Sequence, residues 1–144
     1  MEEFDSIERN VHIAATPERV WELISEPGWY INDGELREHR IERRGDITIV
    51  HDNAHGAFAF LTVALDEPRY AAFRWLQDAN DERSPSTLVE FRIAEQADGV
   101  KLTVTESGFA ALPGTAEERR REFDENAEGW EQEVALAKSF AERA

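Results

Sequence analysis

The sequence contains no cysteine. That excludes a disulfide framework, a thiolate metal site and a thiol nucleophile, and leaves the fold to packing alone. Positive charge is also scarce, with 16 Lys and Arg against 31 Asp and Glu and a formal net charge of -15. Such a surface repels phosphate backbones and anionic headgroups, so neither nucleic acid nor a membrane surface is expected as a partner. No apolar run approaches the roughly 20 residues of a membrane span, and the opening Met-Glu-Glu-Phe-Asp lacks the basic and apolar regions of a secretory signal. A cytoplasmic protein is expected. Walker loop, dinucleotide fingerprint and nucleophile elbow are all missing, and no cofactor is expected. What the chain does have is 41% hydrophobic and 10% aromatic residues, enough apolar area to separate it from acidic disordered chains. Its 144 residues suit one domain, 1-144, with no linker.

Ile7, Val11 and Ile13 alternate with polar residues and read as a first strand, with Arg9 standing where that face calls for an apolar group. Thr16-Pro17-Glu18 then supplies an N-cap, a proline at the first helical position and an acid at the positive end of the dipole. The helix beginning there carries Val20, Trp21 and Ile24 on one face and closes at Pro27-Gly28. Trp29-Tyr30-Ile31, ending in Asn32-Asp33-Gly34, reads as a second, broken helical turn. Six strand candidates follow: Arg37 to Arg44, Ile47 to His51, Ala57 to Leu65, Tyr70 to Gln77, Thr87 to Ala94 and Val100 to Ser107. The turn signals between them fit an antiparallel meander. In Ala57 to Leu65 both faces are apolar, which calls for a bulge or for something covering the outside. After Phe109 the period changes. Thr115 and Glu118 form a capping box, and Phe123, Ala127, Trp130, Val134, Ala137 and Ala141 recur at helical intervals. This predicts a terminal helix from about Ala116 to about Glu142, with Phe123, Trp130 and Val134 toward the sheet and Arg120 and Glu131 toward water.

The stretch from Ile7 to Trp21 (IERNVHIAATPERVW), the Arg74-Trp75 strand end, Thr103 to Phe109 (TVTESGF) and Asn126 to Trp130 (NAEGW) resemble one branch of the START-related SRPBCC superfamily. That branch is named after the activator of the ninety-kilodalton heat-shock-protein ATPase. The resemblance covers essentially the whole chain. It implies an α+β helix-grip fold: a curved seven-stranded antiparallel sheet, two short helices after strand 1, and a long C-terminal helix packed on the concave face. It also implies a cavity between sheet and helix, which relatives use for lipids, hormones, polyketide intermediates or other apolar molecules. The eukaryotic activator carries a separate chaperone-binding domain, for which this chain has no room.

The candidate lining residues are Trp29, Phe73, Trp75, Phe91, Glu106 and Trp130, any of which equally serves as plain core. Alternation aims Glu106 at the interior beside Leu102 and Val104, where a carboxylate must be paired, solvated or protonated. Arg9 and Arg74 are its candidate partners, and the alternatives are orientation of a polar ligand group or a role as general acid or base with a raised pKa. Gly129, in mid-helix, costs about 1 kcal/mol against alanine, a cost tolerated where a strand or a ligand approaches closely. His51 and His55 flank a predicted hairpin turn rather than sharing a helix face, so no metal site is expected. His12 and His39 fall on strands, exposed or paired with acids. Three functional readings follow. The first is binding of a small apolar or amphipathic molecule, with no catalytic residue assigned. The second is an enzyme of the cyclase or hydrolase sort using the same cavity. The third is an interaction module that binds a chaperone or its own copy through an outer face around Phe58 and Phe60.

Overall fold

The computed structural model describes residues 5–32, 36, 39–52, 56–81 and 83–143. Seven strands, β1 (Ser6–Ile13), β2 (Arg40–Arg44), β3 (Ile47–Asp52), β4 (Gly56–Asp66), β5 (Tyr70–Leu76), β6 (Ser86–Gln96) and β7 (Gly99–Ser107), form one sheet in the order β1-β7-β6-β5-β4-β3-β2. Every pairing is antiparallel. Helix α1 (Pro17–Ile24) follows β1, and α2 (Ala116–Glu142) ends the described chain. The expected fold class and the span of α2 are both observed. Arg37, the expected start of the second strand, lies outside the described residues, as do Asp33-Gly34, His55 and Glu82.

Local chemistry sets the helix boundaries. Thr16 Oγ1 accepts from the Arg19 N–H at 3.2 Å, with Pro17 at the first helical position, as the caps require. In α2 the reciprocal box is complete: the Glu118 N–H donates to Thr115 Oγ1 at 3.0 Å and the Thr115 N–H to Glu118 Oε1 at 2.8 Å.

The expected second short helix is not formed. Gly28 adopts φ +77°, and a Cβ on it would stand 2.6 Å from Val50 Cγ2 and 2.9 Å from Phe60 Cε2. Only glycine lets the chain press so closely onto β3 and β4 while in the left-handed region. That conformation breaks helical continuation, so the segment folds into hydrogen-bonded turns, Trp29 N–H to Glu26 O and Ile31 N–H to Gly28 O. These turns seat Trp29, Tyr30 and Ile31 in the core. A 3-10 turn that the sequence reading did not anticipate, Phe109–Ala111, joins β7 to α2.

The concave face carries the main core, including Val50, Phe60, Phe73, Val89, Phe91, Leu102 and Val104. In β4 the register shifts between Thr62 and Ala64. Val63 is the extra residue, so the bulge splits Leu61, Val63 and Leu65, which strict alternation would put on one face. The outer face holds a smaller cluster of Ile47, Ile49, Ala59 and Leu76, covered by Leu61 and Ala79. Phe58 and Phe60 belong to the inner core, against Trp75 and Tyr30. The outer face expected around them is therefore built from other residues. No helix among the described residues is long and apolar enough to cross a membrane.

Helix α2 is fixed near both ends. Phe109 and Phe123 stack edge to face near its start. At the other end the Ala14 N–H donates to Glu142 Oε2 at 2.8 Å, and Arg19 Nη2 donates to the Phe140 carbonyl at 3.0 Å.

Candidate functional site

Between these two fixed ends α2 passes over the sheet, and its inner side leaves a cleft of about 210 Å³. Its walls are Tyr30 and Asn32 from the turns after α1, Trp75 from β5, and Glu125, Asn126, Gly129, Trp130, Gln132 and Glu133 from α2. Of the six residues nominated from sequence, Trp75 and Trp130 line this space. Phe91 lies one layer deeper, with its ring 5.9 Å from Trp130 and 5.7 Å from Tyr30. Trp29 and Phe73 pack behind Phe91, at 5.6 and 6.2 Å. Larger depressions exist, about 290 Å³ beside Leu76 and Asp81 and about 520 Å³ beside Thr16 and Glu142. Neither has an aromatic wall among the described residues, so wall chemistry and not volume singles out the interior cleft.

Glu106 lies beneath the cleft floor and is 1% exposed. The expected partners Arg9 and Arg74 do not reach it: Arg9 Nε is 3.6 Å from Glu131, and Arg74 is exposed. Its donors are neutral instead. Thr87 Oγ1 donates at 2.6 Å, Trp130 Nε1 at 2.8 Å and Asn126 Nδ2 at 3.1 Å. Burial raises the proton affinity of Glu106, while these three donors oppose that rise by stabilising the charged form. The carboxylate thus fastens two cleft residues, Trp130 and Asn126, to the sheet.

Glu133 was not among the residues nominated from sequence, yet it is buried at 9% exposure. It takes one donor, Asn32 Nδ2 at 2.7 Å, and burial pushes its pKa up to about 7. Tyr30 was also passed over. It is 5% exposed and rests 5.3 Å from Trp75 and 4.8 Å from Trp130, ring to ring, and its hydroxyl has no hydrogen-bond partner among the described residues. Burial first, and the Glu106 charge second, keep that phenol protonated well above its ordinary range. A spacing signal existed for two of the missed residues, because Asn126 lies four before Trp130 and Glu133 three after it. None existed for Tyr30, whose turn has no periodicity.

Gly129 sits opposite these aromatics, and a Cβ added to it would meet nothing within 4 Å. No strand approaches it. Elsewhere the described histidines pair with acids: His12 with Asp98, His39 with Asp52 and His51 with Glu42. No group of three or more potential metal ligands occurs among the described residues.

Residues 14–140 match the family described as Activator of Hsp90 ATPase homolog 1-like protein. No curated protein matches the sequence closely enough to count as a relative. Solved structures share the fold at low identity. The Aha1 dimer from Colwellia psychrerythraea, solved in solution, is 16% identical with a TM-score of 0.69, over 95% of this chain and 96% of its own. Protein MLL2253 from Mesorhizobium loti is 15% identical with a TM-score of 0.68, over 94% and 95%. The di-domain ARO/CYC StfQ from the steffimycin biosynthetic pathway is 16% identical with a TM-score of 0.62. There the match covers 95% of this chain and 50% of that one.

Proposed function

The chain belongs to the Activator of Hsp90 ATPase homolog 1-like family, and we propose that it binds a small apolar or amphipathic molecule in the cleft between the sheet and α2. One observation carries this reading: a glycine sits in mid-helix where neither packing nor backbone geometry calls for one. Gly129 has open space where its Cβ would be, and it is one of the residues that line the aromatic cleft. Alanine there would favour the helix by about 1 kcal/mol. What glycine gains in return is room. Tyr30, Trp75 and Trp130 supply the walls, Phe91 with Trp29 and Phe73 the floor, and Glu106 holds Trp130 in place.

The test is Gly129→Leu, which fills the cleft from the helix side. In the unaltered protein a small aromatic alcohol such as 2-phenylethanol should shift the indole N–H resonances of Trp75 and Trp130 saturably. In the variant, folded and at least as stable, affinity should fall about tenfold or more. No saturable shift in the unaltered protein, or equal affinity in the variant, would sink the proposal.

Glu133 favours a second reading, an enzyme that moves a proton at a bound carbonyl compound. A carboxylate whose pKa lies at about 7 suits general acid-base work near neutrality. On that reading the protein accelerates deuterium exchange at the α-carbon of an aryl ketone such as acetophenone. The rate would rise through pH 7 and vanish in Glu133→Gln. Exchange no faster than in buffer removes this reading and leaves the first intact.

A further inference from the structure

The charges around the cleft are all of one sign. Glu125 and Glu133 line it, Glu106 lies beneath Trp130, and no Lys, Arg or His lines it among the described residues. Elsewhere on the inner face the buried acid Asp52 has a basic side chain beside it, His39 Nε2 at 3.1 Å. At the cleft the donors to Glu106 and Glu133 are Thr87, Asn126, Trp130 and Asn32, all neutral. The Tyr30 hydroxyl is buried, on a residue that lines the cleft, and has no hydrogen-bond partner among the described residues.

Resting on the reading of the cleft as a ligand site, we infer that its ligand is a cation: a small amine or ammonium compound with an apolar or aromatic body. Three aromatic rings, of Tyr30, Trp75 and Trp130, line the cleft, an aromatic ring attracts a cation over its face, and the carboxylates supply the opposite charge. A ligand with a carboxylate head would set like charges together at short range, with an energetic cost that grows as water is excluded. A neutral ligand would use the rings and leave the carboxylates unmatched. The volume of about 210 Å³ holds about seven waters at their liquid volume, which fits one ring with a short arm and excludes a long acyl chain. The raised pKa of Glu133 agrees with this assignment, since an arriving cation supplies the countercharge that the neutral Asn32 donor does not.

Three probes of matched shape separate the possibilities: 2-phenylethylamine, 2-phenylethanol and phenylacetate. Titration is followed by the Trp130 indole N–H at about pH 8 in about 150 mM NaCl, which suppresses general attraction to the acidic surface. The amine should bind about tenfold tighter than the alcohol and the carboxylate weakest of all. The advantage of the amine should shrink several-fold in Glu133→Gln and fade as pH falls toward about 5, where Glu133 is protonated. Equal affinity for amine and alcohol would overturn the charge assignment while leaving cleft binding in place. Binding by none of the three would overturn both. An amine advantage unchanged in Glu133→Gln, or retained in the cleft-filled Gly129→Leu, would mark association with the acidic surface at large and would also overturn it.

Discussion

Two inward carboxylates at the same interface of sheet and helix have opposite characters. Glu106, on β7, is held by three donors from β6 and α2. Glu133, on α2, has one donor, from Asn32. Both lose hydration, and burial raises the proton affinity of each. What separates them is how fully hydrogen bonds replace the lost water. A carboxylate with three donors becomes a structural fastener, and one with a single donor beside open space remains available to a proton or a ligand.

The sharpest way to break this contrast is Glu106→Leu. It leaves Thr87, Asn126 and Trp130 with buried donors and no acceptor, and it should lower stability by about 3–5 kcal/mol in urea denaturation. A loss below about 1 kcal/mol would make Glu106 no more structural than Glu133. Trp130→Ala should cost somewhat less, about 3 kcal/mol, because one side of the indole faces the cleft and lacks packing partners there.

Glu133→Gln should act in the opposite direction. The folded state raises this pKa from 4.5 to about 7, so folding takes up a proton between those values. The stability contributed is full below about pH 4.5 and is lost as pH rises through about 7. Glutamine keeps an acceptor for Asn32 without the charge. At pH 8 it should gain about 1–2 kcal/mol, after allowance for water reaching the cleft. The fall in stability between pH 4.5 and 7 should flatten in a pH series of melting curves. No gain at pH 8 would place Glu133 in a solvated setting. The smallest effect expected is from Gly129→Ala, a gain of up to about 1 kcal/mol by the same denaturation assay, accompanied by weaker ligand binding. Stability gained at 129 or 133 with ligand affinity lost would mark residues kept for the site and not for the fold.

Much of the fold was legible because its signals are local. Thr16-Pro17 and Thr115 with Glu118 are caps whose geometry depends on neighbours within one turn, and the alternation of Val89, Phe91 and Ile93 requires only one buried sheet face. The site was less legible because it depends on contacts between distant segments. Nothing near Phe60 states that Gly28 packs against it, and it is Gly28 that turns Tyr30 into the cleft. The wrong partners for Glu106 have the same origin: charge complementarity suggested Arg9 or Arg74, but the register pairs Glu106 with Ile7 on one side and Val89 on the other. The third direction, toward α2, brings amide and indole donors that no strand pattern specifies.

The attachment of α2 at both ends makes it a beam supported at two points over an open span. Its start is pinned by Phe109 and its end by Ala14 and Arg19, so neither end can swing like a lid without breaking those contacts. Admission of a ligand larger than the resting cleft then falls to the middle turns, which must bow outward. Gly129 is the residue in that span with the least resistance to bending, and amide hydrogen exchange should accordingly be faster around it than at either pinned end.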